Sequence, residues 1–221
     1  MYLYICRIRG HYEDLNSLST LDDPEGQGFA PSLYVNLTNR CTNACTFCLR
    51  ATKRGATSDL WIDREPSAQE IIASLKQFDL SPLKEVVFCG FGEPTMRLDT
   101  LLEIARYIRT TYPSLGVRLN TNGLANAYWK RDVTGDLARV LTSISISLNS
   151  SNPQTYLEIT KSSIGRPAHR EVLAFARACR DRGLPVTMSV VDCIDQTDQE
   201  ACAALCKAQG WTFRARHYDR G

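Results

Sequence analysis

From Leu33 onward two periodicities alternate along the chain, and together they leave few folds open. Runs of β-branched and apolar residues fall at 33–37 (L-Y-V-N-L), 84–89 (K-E-V-V-F-C), 117–119, 143–149 (S-I-S-I-S-L-N), 186–191 and 211–216 (W-T-F-R-A-R). Short runs of this kind, bounded by Gly, Pro and Asn, read as strands. Between them, apolar residues recur at helical spacing. Ile71, Ile72, Leu75 and Phe78 follow a Ser67-x-x-Glu70 capping box, and Leu98, Leu101, Leu102, Ala105 and Ile108 form a second stripe. Short helices are expected near 136–141 and from Asn152-Pro153 to Ile159. A longer one spans 167–182, and Thr197-x-x-Glu200 reads as a second capping box opening a helix to Gln209. Consecutive βα units pair their strands in parallel through right-handed crossovers. Six such units fall short of the eight that close a barrel. The expected fold is therefore an α/β, open (β/α)6 partial TIM barrel.

The residues ahead of Leu33 do not fit this alternation. Residues 2–8 (Y-L-Y-I-C-R-I) read as an extra edge strand. Residues 10–32 mix acids with Gly, Pro and Ser, have little periodicity, and read as a surface loop. The chain thus divides into an N-terminal strand-and-loop segment, 1–32, and a core domain, 33–221. A length of 221 residues suits one well-cored domain, and neither a repeat nor a linker marks a second one. A net charge of +2 is too small to argue for nucleic acid by itself. No charged-then-apolar leader opens the chain and no apolar run is long enough to span a membrane, so a cytoplasmic protein with no membrane partner is expected. In that reducing compartment nine cysteines read as thiols or metal ligands. Three widely separated histidines make a histidine-based metal site a poor fit.

Cys41, Cys45 and Cys48 sit four and three residues apart, in a loop that begins where the first core strand ends. Three thiolates from one short loop can grip a soft-metal centre. The next cysteine, Cys89, is far along the chain, so a fourth position would remain open to another ligand. Sites in parallel α/β folds collect at the C-terminal ends of the strands. Here those ends carry Gly90-Phe91-Gly92-Glu93-Pro94, then Asn120 and Asn122, then Ser147 and Asn149, then Asp192, then Arg214 and Arg216. Taken singly, each is ordinary turn chemistry. Six polar or glycine-rich endings on one rim point to a reaction centre. A basic patch of Arg50, Lys53 and Arg54 follows the cysteine loop; it reads as solvated surface or as a receiver of an anionic group. Cys202 and Cys206 share an amphipathic helical face with Leu205, so they and Cys193 read as core and surface thiols rather than a second cluster.

The C-x3-C-x2-C loop with Phe47 before its third cysteine resembles the radical S-adenosylmethionine (SAM) superfamily. The resemblance implies a [4Fe-4S] cluster on Cys41, Cys45 and Cys48, with SAM chelating the free iron. Gly90-Phe91-Gly92-Glu93-Pro94 is similar to that family's Gly-Gly-Glu-Pro motif with one residue inserted. It implies that backbone and glutamate receive the methionyl ammonium. Asn122 then lies near the methionyl carboxylate, Asn149 on the ribose hydroxyls and Phe47 beside the adenine; Asn120 and Ser147 complete the implied cofactor contacts. N-L-T-N-R-C, V-V-F-C-G-F-G-E-P, N-T-N-G and S-I-S-L-N together are most similar to the TatD-associated radical SAM proteins. The activity implied is reductive cleavage of SAM to a 5′-deoxyadenosyl radical that abstracts substrate hydrogen.

The partners implied are a one-electron reductant such as flavodoxin or ferredoxin, and a functional link to a TatD-type nuclease. A barrel open on one side, with nothing after Gly221 to cover it, suggests a macromolecular substrate that supplies the missing wall. The alternatives are a glycyl-radical-activating enzyme and a non-catalytic iron–sulfur binding module. The module has no need of polar endings on the other strands.

Overall fold

The computed structural model describes residues 2–6, 12–15, 31–48, 50 and 60–217. Its centre is one eight-stranded sheet in the order β2-β1-β3-β4-β5-β6-β7-β8. The six strands β3 (Ser32–Val35), β4 (Glu85–Phe88), β5 (Gly116–Thr121), β6 (Ser143–Ser147), β7 (Val186–Val191) and β8 (Thr212–Arg216) are parallel neighbours in chain order. This is the expected open α/β partial barrel. β1 (Leu3–Cys6) adds to β3 antiparallel as an extra strand, but it is not the edge expected, because a further strand pairs along its other side.

Of the 10–32 stretch expected as a loop, residues 12–15 and 31–32 are described and the rest lies outside the described residues; 12–14 differ from the expectation. Tyr12–Asp14 forms β2, antiparallel to β1, and Leu15 behind it is buried. A three-residue strand among Gly and acids carries no alternating apolar pattern, so backbone pairing with β1 creates it rather than local preference. The first residues therefore extend the core sheet.

The helices follow the strands. They are α1 (Ala68–Leu75), α2 (Leu98–Thr111), α3 (Ala125–Trp129), α4 (Thr134–Ala138), α5 (Pro153–Thr160), α6 (Ala168–Asp181) and α7 (Gln196–Gln209). Ser67 and Glu70 make the reciprocal capping box that opens α1. Asn152 caps α5 ahead of Pro153. At α7 the cap is Asp195, whose side chain accepts from the Asp198 amide. The Thr197-x-x-Glu200 pattern is thus not the cap, because an equally good acceptor two residues earlier starts the helix first. The short α3 was not expected; five residues are too few to show a period.

Alternation along the strands decides what each face does. On β5, Val117, Leu119 and Thr121 are buried, whereas Arg118 and Asn120 are half-buried on the other face. Ile144 and Ile146 on β6 join the apolar core, as do Met188 and Val190 on β7 and the buried stripes of α2 and α6. Their neighbours Asn120, Ser145, Ser147 and Ser189 line a cavity instead. Below that cavity, Arg118 grips Glu85 with two parallel bonds, Nε to Oε2 at 3.0 Å and Nη2 to Oε1 at 2.8 Å. Burial alone would raise the Glu85 pKa, but the guanidinium holds it below its usual value. Cys179, Cys202 and Cys206 are buried in the helical layer, while Cys193 is exposed. Among the described residues, no helix is long and apolar enough to cross a membrane.

Candidate functional site: a cysteine loop over a polar cavity

A cavity of about 200 Å³ opens at the C-terminal ends of the parallel strands, and every one of β3–β8 delivers residues to it. β3 leads into the loop with Cys41, Cys45, Cys48 and Phe47. β4 contributes Gly90, Gly92 and Glu93; β5, Asn120 and Asn122; β6, Ser147 and Asn149. The three loop cysteines and the eight residues expected to contact the cofactor therefore stand around one opening, whereas Asp192 at the end of β7 does not line it. Cys89, Thr121, Ser145, Ser189, Arg214 and Arg216 line it as well.

The loop is held from three sides. Glu93 donates its backbone N–H to Arg40 O at 2.8 Å. Asn122 Nδ2 donates to Thr42 Oγ1 at 2.8 Å and lies 3.7 Å from Cys41 Sγ. Ala44 and Thr46 donate their N–H groups to the carbonyls of Thr160 and Ile159, at 3.0 and 2.9 Å, where α5 ends. The unpaired carbonyls of a helix C-terminus are natural acceptors, so α5 serves as a shelf for the loop. Behind the loop, Glu65 accepts from Thr38 Oγ1 (2.5 Å), Arg40 Nε (2.6 Å) and Arg97 Nη1 (3.1 Å).

Arg50 is not available to an anionic substrate group as the basic-patch reading allowed. Its guanidinium closes the loop on itself. Nη1 donates to Asn39 O at 2.8 Å, Nη2 to Asn43 O at 3.0 Å, and Nε reaches Cys48 Sγ at 3.4 Å. Lys53 and Arg54 lie outside the described residues.

The glycines have a steric reason that differs from approach to a ligand. A Cβ on Gly92 would stand 2.2 Å from Thr38 O and 2.4 Å from Arg40 O, both backbone atoms. One on Gly90 would stand 2.0 Å from Asn36 Oδ1. The β4 exit can lie against the β3 exit only without side chains at these two positions.

Glu93 is 4% exposed, and four protein donors converge on its carboxylate. Thr95 N, Thr95 Oγ1 and Thr121 Oγ1 reach Oε1 at 3.1, 2.7 and 2.7 Å, and Asn122 N reaches Oε2 at 2.7 Å. Burial pushes its pKa up, and these donors pull it back. Three of these donors share Oε1 and one reaches Oε2, so the carboxylate ties the β4 and β5 exits together while Oε2 keeps an acceptor position. Glu93 also lines the cavity, so the expectation that it receives an ammonium group stands beside a positioning role.

Asn149 behaves in the opposite way. Its backbone is left-handed (φ 63°), a conformation Asn tolerates better than most residues. It is 2% exposed, and its Oδ1 has no protein partner. Asn43, in the cysteine loop, is buried as well, with its side chain beside the Tyr156 hydroxyl. Buried polar atoms without partners are costly and rare, which marks Asn149 as a position for a ligand.

The thiols fit a polynuclear centre. Burial, then the neighbouring Cys41 and Cys48 sulfurs, pushes Cys45 up to about 12. Cys41 is raised too, mainly by burial. Metal binding at such thiols displaces their protons. A mononuclear zinc site draws its sulfurs to about 2.3 Å from one point, whereas a cube takes one thiolate at each of separate iron corners. No three His, Cys, Asp or Glu groups among the described residues close on a point as a single ion needs.

The sequence model of the Radical SAM superfamily matches residues 35–205. The chain belongs to the Radical SAM superfamily. Membership makes it an enzyme and implies a [4Fe-4S] cluster and SAM as its cofactors, so the non-catalytic module is set aside. A curated relative, GTP 3′,8-cyclase of Paenarthrobacter nicotinovorans, is 31% identical over 191 residues, covering 84% of this chain and 50% of the relative. The chain thus spans about half the length of the curated relatives it matches. The fold is shared with a radical SAM methyltransferase from Sphaerobacter thermophilus (TM-score 0.61, 18% identity, 87% of this chain and 67% of that one). It is shared also with Streptococcus suis SuiB bound to precursor peptide SuiA (TM-score 0.67, 17% identity, 86% and 40%).

Proposed function

We propose that Cys41, Cys45 and Cys48 hold the cluster and that SAM lies across the ends of β4, β5 and β6. The observation that carries this reading is the pairing of a three-thiol loop with the partnerless Asn149 Oδ1 in one cavity. An acceptor held at that point suits the hydroxyls of a ribose, and Phe47 lines the same cavity for the adenine. Glu93 and Asn122 position the loop and line the SAM end of the cavity, and Arg50 fixes the two ends of the loop. When bound, the cluster and SAM supply a 5′-deoxyadenosyl radical that takes a hydrogen atom from the substrate. The chain's own residues orient SAM and keep the reacting atoms out of bulk water.

The substrate belongs to the same proposal. Among the described residues β8 does not pair with β2, which leaves the chamber room on that side for a large partner. That favours a macromolecular substrate; the likeness to TatD-associated proteins adds a functional link to a TatD-type nuclease and implies no substrate. A one-electron reductant such as flavodoxin or ferredoxin completes the system. Identity to GTP 3′,8-cyclases favours a second reading, a purine nucleotide.

Anaerobic reconstitution followed by dithionite and SAM tests the assignment. The expected yield is about four irons per chain and 5′-deoxyadenosine. Asn149→Ala should keep the iron and weaken SAM binding about 3- to 10-fold, the worth of one hydrogen bond. Unchanged affinity by calorimetry would place SAM elsewhere.

A further inference from the structure

Two arginines in the cavity have no protein partner to explain them. Arg214 and Arg216 alternate along β8 and both line the cavity. Among the described residues neither side chain makes a hydrogen bond or an ion pair. The acids nearby are engaged elsewhere. Glu93 is held by its four donors, Glu85 by Arg118, and Asp192 lies 2.6 Å from His217 Nδ1. Both side chains are exposed at the rim, where two guanidinium groups on one strand can receive an anion together. Desolvation lowers the Arg216 pKa from the usual arginine value; the Cys89 sulfur opposes this and the Arg214 charge adds to it.

Strand register adds a second observation. Ser147 on β6 pairs with Ser189 on β7, and Ser189 pairs with Arg214 on β8. All three line the cavity. A row of hydroxyl groups thus runs at one level from the β6 end, beside Asn149, to the arginines. β8 is the far edge of the parallel strands from β3, which carries the cysteine loop. The arginines therefore line the same chamber from its β8 side, and the Arg216 charge reaches the Cys89 and Cys45 sulfurs.

We propose that Arg214 and Arg216 receive a phosphate group of the substrate, which makes the substrate a phosphate ester: a nucleotide or a nucleic-acid segment. A lone carboxylate would match one guanidinium fork. A phosphate offers three or more oxygens and a charge near −2, so two forks can share it with the Ser189 hydroxyl. This rests on the cavity being the reaction chamber proposed above.

The test uses the reconstituted holo chain with SAM bound, and calorimetry with inorganic triphosphate, GTP and a short single-stranded oligothymidylate. Triphosphate should bind, and Arg214→Ala/Arg216→Ala should weaken it by about tenfold or more. Iron content and SAM affinity should stay at the level of the unsubstituted chain. Arg214→Lys/Arg216→Lys, which keeps the charge but not the forks, should fall between. GTP binding more tightly than triphosphate identifies a nucleotide; an oligothymidylate binding more tightly than both identifies a nucleic acid. Either result depends on the arginines if the proposal is right. Equal binding of all three anions by the alanine variant would overturn it. So would a parallel loss of SAM affinity, which would give the arginines to the methionyl carboxylate. A holo chain that binds SAM but none of the anions sinks this proposal alone, whereas one that holds neither iron nor SAM sinks both.

Discussion

Individual residues at this rim are fixed by their neighbours before any ligand arrives. Gly92 makes the point most sharply, because the atoms a Cβ would strike are main-chain carbonyls that have no rotamer to change. Gly92→Ala should therefore destabilise the fold by about 1–3 kcal/mol and push the cysteine loop off the β4 exit, lowering iron uptake. Gly135 in α4 is the control. A Cβ there would meet only Arg182 Nε, at 3.4 Å, the end of a flexible side chain. Gly135→Ala should be neutral or stabilising by up to about 1 kcal/mol, since alanine is the better helix former. Urea midpoints of the two variants check the contrast; equal shifts would mean that the Gly92 contact is not limiting. The cysteine triad was legible in the sequence because its ligands are close along the chain. The bracing role of Glu93 was not, because its donors at Thr95, Thr121 and Asn122 come together only when β4 and β5 pair.

At the level of elements, alternation of strand and helix was readable wherever a run was long enough to show its period. β2 and α3 are three and five residues long, and the partner element, not the local pattern, makes each of them. The junction of α5, α6 and α7 was equally hidden. His169 on α6 is 6% exposed, packs edge-on against Tyr156 of α5, and places Nε2 3.1 Å from the Ser150 carbonyl. Asp198 of α7 accepts from Ser150 Oγ and Ser151 Oγ on the same loop, at 2.6 Å each. Desolvation lowers the His169 pKa below the ordinary histidine value of 6.5, against opposing pulls from the Ser150 carbonyl and the Asp198 charge. The unfolded chain then binds the proton more readily than the folded one, so stability falls as pH drops through the unfolded value. The carboxylates held down in this region, such as Asp198, act only at lower pH, near and below the ordinary aspartate value of 3.8. Between about pH 7.5 and 5.5 the urea midpoint should fall, and His169→Gln should flatten that slope. A variant with the parent slope would assign the titration to another group.

Across the whole molecule, the cysteine loop ties together segments far apart in sequence. It bonds to Glu93 beyond β4, to Asn122 beyond β5, and to Ile159 and Thr160 at the end of α5; Ser163 N returns a bond to Thr42 O at 2.8 Å. Polar groups at six strand ends were visible in the sequence, but which of them brace the loop and which stay open to ligands was not. That division follows from distances only the folded sheet sets. It has a consequence for the cluster-free chain. Glu93 is buried and takes four protein donors from two segments, so the β4 and β5 exits should keep their structure when iron is removed. The α5 shelf meets the loop through three backbone bonds, two at its last carbonyls and one just beyond, and has less to hold it. Hydrogen exchange should then show protection at 41–48 and at 159–163 falling together on iron removal, with the amides of 93 and 122 little changed. Reconstitution should restore both segments in step. If 159–163 kept its protection while 41–48 lost it, the loop would not be seated on α5 in solution, and its anchorage would rest on the β4 and β5 exits alone.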